Sequence, residues 1–182
     1  MSREPTTTLD LRALEVAPGS AVDLRVVLPP VELELGGERY RVEPARPEAE
    51  VRVARSLSGL HLRLRARADL VGPCVRCLAE ARVPLAVDTE EFAAAGRAPD
   101  ADFDDDLDSA YVADERLDLE TWARDALAEA VPAGVLCREG CAGLCPTCGA
   151  DLNAGPCGCA ADAPDERWAP LREVAERMRR GG

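Results

Sequence analysis

The chain has 182 residues, of which 47% are apolar but only 3% aromatic, so a core must be built chiefly from Val, Leu and Ala. All 22 basic residues are arginine, and 34 acids leave a net charge of -12, which excludes a globally basic nucleic-acid binder while leaving room for a local basic face. No apolar run approaches the ~20 residues of a bilayer span, and the opening MSREPTTT lacks the apolar segment of a secretory signal.

These features read as a cytosolic protein with no membrane partner. In that compartment thiols stay reduced, so eight cysteines favour metal over disulfides. The acidity is uneven: residues 93–131 hold 12 acids against 3 arginines, between two nearly neutral flanks.

The first half reads as strands. VELELGGERYRV, residues 31–42, alternates around Gly36-Gly37, a two-residue hairpin signal. Pairing Leu35 with Glu38 sets Leu33 opposite Tyr40 and Val31 opposite Val42. The same register sets Glu34 opposite Arg39 and Glu32 opposite Arg41, so apolar and charged pairs both fall into place.

A second hairpin is expected around Ser58-Gly59, with Leu57 opposite Leu60, Val53 opposite Leu64 and Val51 opposite Ala66. Its outer face carries His61, Arg63, Arg65 and Arg67. Arg52 would then face Arg65, which calls for an anion nearby, and only Glu50 opposite Arg67 is paired. A third strand, Ala81 to Phe92, returns beside residues 60–70 and offers Asp88 and Glu90 to part of this face. The joining loop contains Cys74 and Cys77.

GRAPDADFDDDLD opens an acidic loop over 93–117; it lacks the Gly and Glu that a calcium loop needs at its sixth and twelfth positions. A helix follows, with Asp118 as N-cap and Leu119, Trp122, Ala123, Ala126, Leu127 and Ala130 on one stripe; Pro132 and Gly134 end it. The cysteine-rich segment spans 137–159. A final amphipathic helix, about 165–179, places Trp168, Leu171, Val174, Ala175 and Met178 on one face.

The fold class is therefore α+β: an N-terminal antiparallel sheet of hairpins, an acidic loop, a helix, a small zinc-ribbon-like segment and a C-terminal helix. The expected domains are residues 1–92 (β-rich), 93–117 (acidic loop) and 118–182, the last packing back on the β domain.

The eight thiols are Cys74, Cys77, Cys137, Cys141, Cys145, Cys148, Cys157 and Cys159. Zinc takes four ligands in a tetrahedron and thiolates suit it. CxxC-x8-CxC supplies one complete set from Cys145, Cys148, Cys157 and Cys159. In CPTCG, Pro146 pre-sets a backbone angle and Gly149 allows a bend. Cys74, Cys77, Cys137 and Cys141 could form a second set and clip the strand domain to the C-terminal segment. Spacing leaves the partition open: Cys137 or Cys141 could serve the first ion, and Cys74 and Cys77 could stay unliganded.

A site closed by four thiolates has no open position for a catalytic water. The chain has one histidine, His61, read as a solvent-facing strand residue, and no HExxH motif, phosphate loop or nucleophile elbow. It reads as a non-enzyme. Iron–sulfur ligation would also use four thiolates, but the spacing is not a ferredoxin run, and a brown protein would distinguish it.

Together, CVRCL at 74–78, LDLETWARDALAEAVP at 117–132, LCREGCAGLCPTCGADLN at 136–153, CGC at 157–159 and DERWAPLREV at 165–174 resemble the YceD family of bacterial large-subunit ribosomal RNA accumulation proteins, particularly its cysteine-rich members. The resemblance covers roughly residues 50–175. One minor departure is Glu166, where the family often has proline after the aspartate.

The resemblance implies a cytoplasmic role in synthesis, processing or stability of 23S ribosomal RNA or its precursor, and no enzymatic activity. Family genes often neighbour one for a large-subunit ribosomal protein. Other members lack many of the cysteines, which implies that zinc, as one or two ions, stabilises the fold.

Three functional readings follow. In the first, the protein contacts precursor or mature 23S RNA, but not DNA, through Arg52, Arg63, Arg65, Arg67 and Arg76, whose guanidiniums can grip phosphates in a bidentate way. In the second, the six aspartates of Asp100–Asp108 hold a basic large-subunit ribosomal protein before assembly. In the third, the CxxC pairs serve metal or thiol redox chemistry, although neither sits in a thioredoxin-like βαβ context.

Overall fold

A computed structural model describes residues 5–94, 109–159 and 169–180. The architecture is α+β, as read from the sequence. It divides into two compact units, Met1–Cys141 and Ala142–Gly182.

The first unit is organised by one long strand. β1 is Thr8–Asp10, β2 Ala21–Val27, β3 Glu32–Leu35, β4 Glu38–Glu43, β5 Glu48–Arg55, β6 Gly59–Pro73 and β7 Glu80–Ala94. β7 pairs with β6 along its whole length, from Gly59↔Ala94 to Pro73↔Glu80. The opposite edge of β6 is shared: β5 takes Leu60–Ala66 and β4 takes Asp69–Val71. β2 lies outside β5 and β3 outside β4, giving six strands in all. Every pairing is antiparallel.

Strict alternation in β6 explains this role. Leu60, Leu62, Leu64, Ala66, Ala68 and Leu70 are buried, while His61, Arg65 and Arg67 are exposed. Near its end the pattern changes at Gly72, where the Tyr40 ring would lie 2.3 Å from any Cβ. The Tyr40 hydroxyl donates to the Pro73 carbonyl at 2.9 Å. Glycine there lets an aromatic ring replace a side chain in a core poor in aromatics.

The first hairpin has the expected register, Leu35↔Glu38, Leu33↔Tyr40, Glu34↔Arg39 and Glu32↔Arg41. The second does not. The structure pairs Arg55 with Leu60, Val53 with Leu62, Val51 with Leu64, Arg52 with Arg63 and Glu50 with Arg65, two residues away from the expectation. The turn keeps two residues but sits one position earlier, at Leu57-Ser58, because Ser56 closes it: its backbone N–H and hydroxyl both donate to the Gly59 carbonyl, at 2.8 and 3.0 Å. Gly59 itself lies against Ala93, whose carbonyl oxygen would sit 2.1 Å from a Cβ. An even shift preserves which face each residue occupies but changes every cross-strand partner.

Within the stretch expected as an acidic loop, β7 continues to Ala94, and β8 (Val112–Ala113) and β9 (Arg116–Asp118) form a tight hairpin. Its two turn residues, Asp114 and Glu115, both have positive φ, 51° and 57°. β1 adds to β9 to complete a three-stranded sheet. The aspartate-rich run 100–108 lies outside the described residues.

Helix α1, Leu119–Glu129, begins where Asp118 accepts from the Thr121 backbone N–H at 3.0 Å. It packs on β7 and β1. Leu119, Trp122, Ala123, Ala126 and Leu127 are buried, as the stripe predicted. Trp122 is 1% exposed and anchors the interface, in keeping with the large area that a tryptophan removes from water.

In the second unit an isolated bridge joins Leu144 to Asp151 around the CPTC turn. Helix α2 spans Ala169–Arg180, with Arg177, Arg179 and Arg180 in its last turn, where the helix dipole favours cations. Leu171, Val174 and Met178 recur on one stripe of it, and Trp168 lies outside the described residues. No helix among the described residues is long and apolar enough to cross a membrane.

Candidate metal centres and the charged sheet face

The eight cysteines gather into two quartets. Cys74, Cys77, Cys137 and Cys141 form one, and Cys145, Cys148, Cys157 and Cys159 the other. Within each, the four sulfurs lie within 4.8 Å of one another. A tetrahedron with Zn–S bonds of ~2.3 Å has S···S edges of about 3.8 Å. The Cys74–Cys141 and Cys77–Cys137 Sγ pairs are 3.8 and 3.6 Å apart. The donor sets therefore fit a four-thiolate metal ion. They also resolve the partition that spacing left open.

Each quartet starts from the same turn. In the β6–β7 connection, the Cys74 N–H donates to the Ala79 carbonyl at 2.8 Å and the Leu78 N–H to the Cys74 carbonyl at 3.0 Å. In the second unit, the Cys145 N–H donates to Ala150 and the Gly149 N–H to Cys145, both at 2.8 Å. The residue after the second cysteine is left-handed in both copies: Leu78 at φ 62° and Gly149 at φ 73°. The shared signal in the sequence is CxxC-x-A, at Cys74–Ala79 and Cys145–Ala150. Two strands bracket the first copy, so the constraint of β6 and β7 supports an unfavourable backbone at leucine. Glycine tolerates the same conformation without that support.

The turns also prepare the sulfurs. Burial pushes the Cys74 thiol up, but backbone N–H groups of Arg76, Cys137 and Cys77 outweigh it and bring it down to about 6. The Arg76 N–H lies 3.4 Å from its sulfur. Backbone N–H groups of Cys148 and Thr147 similarly lower Cys145 to about 6. Their neighbours move the other way: Cys77 chiefly pushes Cys137 up to about 12, and Cys148 chiefly pushes Cys159 up to about 11. One thiolate per quartet is thus held by dipoles, while crowding opposes further ionisation. A divalent cation relieves that crowding.

The two centres differ in cover. Cys74 and Cys141 are 0% and 1% exposed, inside the core of the first unit. The Val75 N–H donates to Val135, and Arg76 Nη1 to the Cys141 carbonyl at 2.9 Å, so this part of the CVRC loop and the chain after α1 are tied together. In the second unit Cys148 is exposed and Cys157 and Cys159 are half-buried. There, Asn153 Oδ1 accepts from the Ala142 N–H at 2.8 Å.

On the sheet, the structure redistributes the charges that the sequence left unbalanced. Arg52 and Arg63 stand directly opposite each other, but each has its own carboxylates. Arg52 Nη1 reaches both oxygens of Asp23, at 2.9 and 2.8 Å. Arg63 forms a bidentate pair with Asp88, at 2.6 and 2.8 Å, and reaches Glu90 at 3.0 Å. Arg65 lies 3.4 Å from Asp88. Hydrogen bonds from Arg63 hold the Asp88 carboxyl down to about 2.

Beyond this mosaic lies an open concavity of about 1040 Å³, lined by Arg25, Arg46, Arg65 and Arg67 with Glu48, Glu50 and Asp88. Of the predicted arginines, Arg65 and Arg67 are brought together there. Arg52 and Arg63 are engaged by carboxylates and Arg76 by the metal-centre backbone. Arg25 and Arg46 line it with them and carried no signal in the sequence. β2 carries no hairpin signal, and Arg46 sits in a connection flanked by Pro44 and Pro47. His61 is exposed, with its ring 4.8 Å from that of Phe92.

The fold and its two centres define a small α+β protein that carries paired four-cysteine knuckles. The chain belongs to the YceD family: the family model described as "Large ribosomal RNA subunit accumulation protein YceD" matches residues 62–175. That span includes most of β6, all of β7, both quartets and α1.

An uncharacterised protein of Mycobacterium tuberculosis is 34% identical over 171 residues, 92% of this chain and 80% of that protein. One from Mycobacterium leprae is 29% identical over 91% of this chain and 76% of its own length. A chloroplastic large ribosomal RNA subunit accumulation protein YCED homologue of Arabidopsis thaliana is 30% identical over 64 residues, 35% of this chain and 20% of that protein. No solved structure matches the chain.

Proposed function

We propose that this protein is a non-enzymatic ribosome biogenesis factor. It supports the synthesis, processing or stability of 23S ribosomal RNA in the cytoplasm and contacts the precursor RNA directly. The observation that carries this reading is the family match, which runs through the central hairpin, both knuckles and α1. Zinc is the ion we assign to both quartets, since four thiolates in a tetrahedron suit it best. Its role is structural: four sulfurs complete its coordination and leave no position for water or substrate.

The test is deletion or depletion of the gene, followed by quantification of mature 23S RNA, mature 16S RNA and their precursors. The 23S:16S ratio should fall, with 23S precursors or fragments altered. Unchanged 23S abundance and processing on complete depletion would reject the reading.

A further inference from the structure

We propose that the concavity between β2, the β4–β5 connection and β6 is the RNA contact, and that Arg25, Arg46 and Arg67 grip phosphodiester oxygens there. This rests on the reading that the protein touches ribosomal RNA. It keeps Arg67 from the arginines expected from the sequence and moves the contact off Arg52, Arg63 and Arg76 towards Arg25 and Arg46.

The argument starts from the charge of -12, which repels RNA over most of the surface. A contact must use guanidiniums that are not already neutralised. Arg52 and Arg63 are engaged by Asp23, Asp88 and Glu90. By contrast, no carboxylate among the described residues lies within ion-pair distance of Arg25, Arg46 or Arg67. These three are exposed and line one concavity, where Arg65 is a fourth cation against three carboxylates.

Each comes from a different element, so the groups are spread to meet successive phosphates rather than one small anion. Pro44 and Pro47 bracket Arg46 and limit its backbone freedom, which lowers the entropy lost on binding. No aromatic ring among the described residues lines the concavity, so they offer no stacking platform for bases. The contact therefore positions RNA without reading its sequence.

The test compares the full-length, metal-loaded protein with two triple variants of equal charge change. One is Arg25→Glu, Arg46→Glu and Arg67→Glu. The other, away from the concavity, is Arg39→Glu, Arg116→Glu and Arg138→Glu. Binding is measured by filter retention on a 23S RNA fragment and on an unrelated structured RNA of equal length, across a salt series. Circular dichroism checks the fold, and a triple Arg→Gln version of the concavity variant repeats the test without charge reversal.

Wild type should bind both RNAs alike, with log affinity falling against log salt at a slope of about -2 to -3, as expected for three phosphates. The concavity variants should lose about tenfold or more, while the control stays within about threefold of wild type. If wild type binds but the concavity variants bind equally well, the RNA reading survives and this site is overturned. If wild type retains no 23S fragment even at low salt, direct RNA contact fails, and this site with it.

Discussion

Asp88 joins two strands through three arginine contacts, and its ionisation has a definite pH signature. Its carboxyl is held down to about 2 from an ordinary 3.8, chiefly by hydrogen bonds from Arg63. A carboxyl whose folded pKa is depressed contributes stability that is fully present above its unfolded value and is lost as pH falls through the folded one. Asp88→Asn should therefore be modestly less stable than wild type at neutral pH, because the pair is exposed and screened. The difference should shrink between about pH 4 and pH 2. Urea denaturation of both proteins across that range tests it; a gap that stays constant down to pH 2 would refute the assignment. The sequence offered Asp88 and Glu90 to the arginine face because they lie one hairpin away. Asp23 was hidden because its strand joins β5 only after the first hairpin intervenes.

At the scale of the element, the two CxxC knuckles share their hydrogen bonds but differ at one left-handed position. Leucine there costs ~1–2 kcal/mol relative to a relaxed backbone. Leu78 is 64% exposed, so burial offsets little of that. Leu78→Gly should be neutral or stabilising by up to about 1 kcal/mol, once the greater unfolded-state entropy of glycine is counted. Gly149→Ala should weaken metal retention in the second unit by about 1 kcal/mol, or about fivefold, in competition with a chromogenic chelator. Equal responses at the two positions would show that the turns are not equivalent. Sequence could locate both knuckles, because the signal is local. It could not set the second hairpin's register, since Ser56 and the fit of Gly59 under Ala93 decide it and alternation is blind to an even shift. The α1 stripe was legible, because a single helical face is buried against β7 and β1.

For the whole molecule, the division into two units separates the two cysteine quartets. Cys77 and Cys137 are 60 residues apart in sequence yet meet in the first unit, which no spacing rule reveals. The protein should bind two zinc ions per chain by elemental analysis, and Cys74→Ser and Cys145→Ser should each remove one. Cys74→Ser should also lower the thermal midpoint of the β domain, because Cys74 and Cys141 lie in its core and binding there is coupled to folding. Cys145→Ser should leave that midpoint within about 2 °C. Loss of both ions in either single variant would contradict two independent sites.

The same partition sets what descent can do with these cysteines. A four-thiolate site that loses one ligand keeps three crowded sulfurs and little of the affinity that justified them, so selection on the remainder lapses. Across relatives, positions 74, 77, 137 and 141 should therefore be present or absent as one set, and 145, 148, 157 and 159 as another. The two sets should come and go separately, because each gathers its own four sulfurs.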